Sequence, residues 1–303
     1  MELRIGTSGW HYPAGRGTWD GIFYPRPEDR PRRFDELSFY AERFNTVEIN
    51  STFYGQPRAP VSLGWVRRTP PRFTFSVKLF QKFTHPATAV DRTPLTASDV
   101  DAFKGGLEPI AAAGKLGVLL AQFPSRFRDT PEARDYLAWL LRTFDAYPLA
   151  IELRHRSWSD AGAETEALLA SSGAAWVQID EPKFDSSIRQ SLAPNSTEML
   201  YVRLHGRNAA EWWMPDESED RYNYFYPEGE LAPIIDKLRA ARQQVRKLYL
   251  YMNNHFAAQA VANATMVREM LEEPVTARMP PELVEAYPVL EGRVATLPRA
   301  RLL

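Results

Sequence analysis

Along this chain, hydrophobic and polar residues alternate in short runs, and the polar partner is often charged. In Tyr201-Val202-Arg203-Leu204-His205-Gly206, Val202 and Leu204 take one face while Tyr201, Arg203 and His205 take the other, because a strand alternates its side chains with period 2. Val47-Glu48-Ile49-Asn50 and Ile151-Glu152-Leu153-Arg154 repeat the pattern. Eight strands are predicted, over Leu3–Ser8, Thr46–Thr52, Phe73–Leu79, Val118–Phe123, Leu149–Arg154, Ala174–Asp180, Met199–Gly206 and Leu248–Asn254. Helical patterning separates them at Arg32–Phe44, Ser98–Ala113, Thr130–Tyr147, Ala163–Ser172, Leu231–Val245 and Ala257–Leu271. Ser98 reads as an N-cap with Gly114 as a stop, and Thr130-Pro131 as a cap followed by a first-turn proline.

Strand and helix alternate throughout, which predicts a mainly parallel sheet flanked by helices. Eight such units predict an α/β fold of the single (β/α)8 TIM-barrel type, one domain over residues 1–303. A doubly wound open sheet is the alternative. It lacks support, because Gly6-Thr7-Ser8-Gly9 is too short and misplaced for a dinucleotide-binding turn.

With the apolar phase of each strand on the helix layer, the other phase points inward. That inward set includes Arg4, Ser8, Glu48, Asn50, Lys78, Gln122, Glu152, Arg154, Asp180, Arg203, His205 and Asn253. An ordinary barrel interior is filled by Val, Ile and Leu. Charges there cost several kcal/mol unless paired, so the pattern predicts a polar chamber. One reading is that these residues only satisfy one another. The other is a site at the C-terminal ends of the strands, with Glu48, Glu152 and Arg203 bracing the residues above them.

Composition narrows the classes. The 303 residues are 44% hydrophobic and 25% charged, as in a globular chain with a sizeable core. No apolar run reaches the roughly 18 residues of a membrane span, and the N-terminus has no signal-peptide layout. Both agree with a cytoplasmic protein. With no cysteine, disulfides, thiolate metal sites and a cysteine nucleophile are excluded. A formal net charge of −1 speaks against nucleic acid as a partner and leaves a small, anionic molecule as the expected one. The basic runs Arg67-Arg68 and Arg30-Pro31-Arg32-Arg33 read as solvated charges.

Three chemistries fit the inward set. In the first, Lys78, Arg154 and Arg203 clamp an anionic group while His205, Asp180, Glu152 and Glu48 carry acid–base chemistry without an organic cofactor. Ser8, Trp10, Tyr12, Asn50, Gln122, Asn253 and Asn254 complete the expected substrate contacts. In the second, Glu48, Glu152, Asp180 and His205 ligate a divalent cation, as in a metal-dependent phosphodiesterase or sugar isomerase. In the third, Lys78 forms a Schiff base. A non-catalytic binding module is a further alternative, with stacking supplied by the aromatic loop Trp212–Tyr226. That loop contains Trp213, Tyr222, Tyr224 and Phe225 and reads either as self-packed or as a lid.

Several of these segments carry a resemblance. Gly6-Thr7-Ser8-Gly9-Trp10, the run Tyr40–Tyr54, Phe75-Ser76-Val77-Lys78, Leu120-Ala121-Gln122-Phe123-Pro124, Glu152-Leu153-Arg154-His155, Tyr201–Gly206 and Tyr251-Met252-Asn253-Asn254 resemble, in order, the motifs of the YecE-like family, domain of unknown function 72. The motifs cover residues 1–271 and leave 272–303 as a C-terminal extension. The family's Arg-His-Pro-Ser-Trp reads here Arg154-His155-Arg156-Ser157-Trp158. The resemblance implies a TIM barrel and no settled activity.

Overall fold

The computed structural model describes residues 1–85, 94–212 and 219–298. Its strands are β1 (Glu2–Thr7), β2 (Thr46–Ile49), β3 (Thr74–Lys78), β4 (Leu116–Gln122), β5 (Leu149–Glu152), β6 (Ala175–Trp176), β7 (Gln178–Asp180), β8 (Met199–Leu204) and β9 (Lys247–Met252). The fold is α/β and every strand pair is parallel. The expected single eight-stranded barrel is not what forms. The strands divide into a four-stranded sheet, ordered β1-β9-β8-β7, and a five-stranded sheet, ordered β2-β3-β4-β5-β6.

Side chains at two seams explain the division. The stretch expected as one strand over Ala174–Asp180 breaks at Val177, so β6 pairs with β5 and β7 with β8. Around the break, the Trp176 amide donates to Asn195 Oδ1 at 2.7 Å and the Ile179 amide to Gln190 Oε1 at 3.0 Å. These carboxamides take backbone groups that a neighbouring strand would otherwise use. At the other seam β1 and β2 share one isolated bridge, Ser8 to Glu48. The Tyr40 hydroxyl stands between them, accepting from the Thr7 amide at 2.9 Å and donating to the Thr46 carbonyl at 3.1 Å. Gly6 lies so close that a Cβ there would sit 2.3 Å from the Thr46 carbonyl oxygen. Any side chain would push this seam apart.

The helices follow the patterning with shifted ends. Helix Ala97–Ala112 is capped by Thr96, not Ser98, in a reciprocal pair with Asp99. Helix Pro131–Thr143 has the expected Thr130 cap, whose Oγ1 accepts from the Ala133 amide. Their buried faces, including Phe103, Leu107, Ile110, Leu137, Leu140 and Leu141, cover the outer side of the strands. Near the C-terminus, Met279, Leu283 and Leu290 are buried in the same core. Among the described residues, no helix is long and apolar enough to cross a membrane.

Candidate functional site

The strand phase predicted from alternation places a continuous polar network between the two sheets. Arg203, on β8, is its hub and is 1% exposed. Its Nε and Nη2 donate to the two carboxylate oxygens of Glu48, on β2, at 3.0 and 2.7 Å. Its Nη1 donates to Glu152 Oε2, on β5, at 2.6 Å and to Gln122 Oε1 at 3.2 Å. Tyr201 donates to Glu48 Oε2 at 2.8 Å. Below this, the Tyr251 hydroxyl lies 2.8 Å from Ser76 Oγ and 2.7 Å from Thr46 Oγ1. Every nitrogen of the Arg203 fork therefore has an acceptor, which is what allows a charge to be buried so deeply. Burial alone would raise the Glu152 pKa, but the Arg203 and Arg154 guanidiniums outweigh it and hold the carboxyl well below its ordinary range.

One layer up stands Arg154. Its Nε donates to Glu152 Oε1 at 2.6 Å, and Nη2 lies 3.2 Å from His205 Nε2. His205 is fully buried. Nε2 also lies 3.6 Å from Glu152 Oε1. Asn253 Nδ2 lies 2.8 Å from Nδ1; an amide nitrogen only donates, so Nδ1 accepts. Burial, followed by Arg154 and Arg203, pushes the His205 pKa down to about 3, so the ring is neutral at physiological pH with both nitrogens engaged.

Above this layer the interior opens into a cavity of about 200 Å³, lined by Arg154, Gln122, Glu181, Ser186, Ser187, His85, Trp212 and Arg221, with Pro124 and Ser125. Trp212 meets His205 edge-on at 6.4 Å, and the Arg221 guanidinium lies 5.9 Å from the Trp212 ring. Glu181 is 5% exposed. Its Oε2 lies 3.4 Å from Arg154 Nη1 but has no hydrogen-bond partner among the described residues. Burial raises the Glu181 pKa despite that neighbour. Burial also lowers the His85 pKa to about 3, with Lys78 the largest charge contribution. The lining thus places two guanidiniums, Arg154 and Arg221, beside one carboxyl group, Glu181.

Lys78, at the end of β3, is half-buried, and its ammonium lies 4.1 Å from the centre of the Phe53 ring. His85 meets the same ring edge-on at 5.0 Å. Burial, then the Arg203 charge, pushes the Lys78 pKa down to about 7. Ser8 Oγ and Asn50 Oδ1 are buried without a hydrogen-bond partner among the described residues.

The other expected site residues sit elsewhere. Asp180 is gripped by Arg207, with Nε and Nη2 each 2.8 Å from its oxygens, and accepts from the Tyr226 hydroxyl at 2.8 Å. It thereby pins the loop after β8. Asn254 donates to the Tyr224 carbonyl and to Asn263 Oδ1, both at 2.8 Å, and anchors the same loop. Gly206, at φ +90°, lets Tyr224 pack where a Cβ would meet it at 2.8 Å. Trp10 packs edge-on against Trp65 at 6.0 Å, and Tyr12 stacks on His255 at 4.4 Å. Within the aromatic loop, Tyr224 and Tyr226 are structural while Trp212 faces the cavity; Trp213 lies outside the described residues.

Glu48, Glu152, Asp180 and His205 do not converge as a cation site. Arg203 occupies both glutamates and Arg207 occupies Asp180. Among the described residues, no group of three or more metal-ligating side chains comes together. Sequence reasoning missed Glu181 and Arg221. Glu181 follows the last residue of β7, where period-2 alternation ceases to apply, and Arg221 comes from the long loop, in a 3-10 turn Asp220–Tyr222.

Fold and site together define an α/β protein whose two parallel sheets enclose an ion-paired interior opening into a basic cavity. The chain belongs to the family described as "Protein of unknown function DUF72", whose pattern matches residues 4–285. It is 29% identical over 277 residues to UPF0759 protein YunF of Bacillus subtilis (strain 168), covering 89% of this chain and 95% of that protein. It is 31% identical over 136 residues to UPF0759 protein YecE of Escherichia coli (strain K12), or 44% of this chain and 46% of that one. The crystal structure of a DUF72 family protein from Thermotoga maritima MSB8 superposes with a TM-score of 0.76 at 31% identity, covering 90% of this chain and all of that one (100%). A DUF72 protein from Enterococcus faecalis V583 superposes at 0.77 with 23% identity, over 89% and 95% of the two chains.

Proposed function

We propose that the protein is an enzyme acting on a small anionic substrate, held in the cavity by Arg154 and Arg221. The observation that carries this reading is the imbalance of the lining: two guanidiniums face one carboxyl group, Glu181, whose pKa burial has raised. An oxyanion supplies the missing negative charge and matches the forked guanidinium geometry. The cavity suits a metabolite-sized molecule and is too small for a macromolecular segment.

Proton transfer falls to groups poised between their charged and neutral forms. Beside Arg154, burial raises the Glu181 pKa and lowers that of Lys78 to about 7. Glu48, Glu152 and His205 act through Arg203 and Arg154 as positioning residues, and Asp180 positions the loop carrying Trp212. Gln122, which lines the cavity, supplies a neutral hydrogen bond to the substrate.

Calorimetric titration with inorganic phosphate tests this. Wild-type protein is expected to bind it, and Arg221→Met to bind at least about tenfold more weakly, the loss of one charge-assisted contact. Absence of phosphate binding, or equal affinity in the variant, would contradict the reading.

A further inference from the structure

The amine of Lys78 is an interior cation that the ion-pair network of the described residues does not claim. Arg203 is matched to Glu48 and Glu152, and Arg154 to Glu152. Among the described residues, Lys78 Nζ makes no hydrogen bond and has no carboxylate within ion-pair distance; its neighbour is the face of Phe53. Other lysines differ. Lys82 is paired with Asp99, Lys115 donates to the Thr69 carbonyl and Lys247 reaches Glu2. Phe53 in turn packs on His85, which lines the cavity. The unclaimed amine therefore stands one ring from the proposed anion site, at a strand's C-terminal end.

We propose that Lys78 is a nucleophile that forms an imine, and that the substrate is a small aldehyde or ketone carrying a carboxylate or phosphate. This rests on the anion-binding reading above. The anionic group seats on Arg154 and Arg221, and the carbonyl end must reach past His85 and Phe53 to Nζ, which lies beside the cavity lining without being part of it. The nitrogen lone pair adds to that carbon, and the carbonyl π pair moves to oxygen, which takes a proton from Glu181. The nitrogen then sheds a proton to the Glu181 carboxylate. The C–O bond breaks as C=N forms, the leaving oxygen takes that second proton back from Glu181 and departs as water, and the protonated imine then returns its proton to the Glu181 carboxylate. Amine plus carbonyl gives imine plus water, with no oxidant or reductant required. A pKa near 7 supports the step by leaving a large fraction of the amine unprotonated at neutral pH.

Reductive trapping tests the proposal on the full chain. Protein is incubated at pH 7 with pyruvate and sodium cyanoborohydride, which reduces an imine to a stable secondary amine, and is then mapped by peptide mass spectrometry. The expected result is a carboxyethyl adduct on Lys78 at least about tenfold above that on any other of the seven lysines. Lys78→Met, checked for folding by circular dichroism, should lose that adduct alone. If phosphate binds and Lys78 is labelled no faster than surface lysines, the imine is overturned and the anion site stands. If phosphate does not bind, the anion reading falls and the imine proposal with it.

Discussion

Arg203 and Arg154 point into the same interior from the C-terminal halves of their segments, and the layers they govern differ. Arg203 is 1% exposed and fully matched across both sheets, with Glu48 on one side, Glu152 on the other and Tyr201 completing the carboxylate shell. Nothing there is left for a ligand to satisfy. Arg154 has a 17% exposed side chain, one firm carboxylate contact, a neutral histidine and a cavity. Its neighbours Glu181 and Lys78 are pushed toward their neutral forms, whereas Glu152 below is held firmly ionised. A saturated ion-pair layer fixes geometry. An unsaturated layer resting on it keeps a place for a substrate.

The comparison breaks most readily in the deeper layer. Arg203→Met leaves Glu48 and Glu152 buried without their counter-charge and should cost about 3–5 kcal/mol of stability, read by urea unfolding. A loss under about 1 kcal/mol would mean the layer is not saturated as described. Lys78→Met should have the opposite sign. The folded-state pKa near 7 lies below the 10.5 of the unfolded chain, so the unfolded state binds the extra proton between those values and native stability rises with pH across that window. Below pH 7 the native protein carries the whole penalty. The variant should therefore be more stable at pH 6 by about 2 kcal/mol, after allowance for the solvent access of a half-buried group. That gain should fade as pH approaches 10.5. Thermal unfolding at a series of pH values checks both features.

A smaller effect separates charge from geometry in the upper layer. Arg154→Lys keeps the charge and loses the fork, and should weaken phosphate binding about tenfold. Affinity equal to wild type would leave Arg154 as scaffold only. His205 should give no imidazole titration above about pH 4 by NMR, because burial and two guanidiniums hold its pKa near 3. A midpoint near 6.5 would mean the layer is more hydrated than its geometry implies.

Much of the interior is legible in the sequence. Alternation alone brings Glu48, Glu152, Arg154, Arg203 and His205 into one network, since period 2 and the cost of unpaired charge leave few other arrangements. The sheet division is not legible. Ala174–Asp180 has strand character throughout, and its break depends on Asn195 and Gln190, 19 and 11 residues further along the chain from the amides they bind. Asp180 shows the same limit. Its inward phase predicts a catalytic place, yet Arg207, outside any strand, takes it as a loop anchor. Glu181 lies just past a strand end, where periodicity gives no guidance.

The crystal structure of the protein soaked in phosphate tests the two-layer account most directly. The account predicts phosphate density between Arg154 and Arg221, with Arg203 still bonded to Glu48 and Glu152. Phosphate seated on Arg203 after displacing those carboxylates, or a cavity holding only water at saturating phosphate, would contradict it.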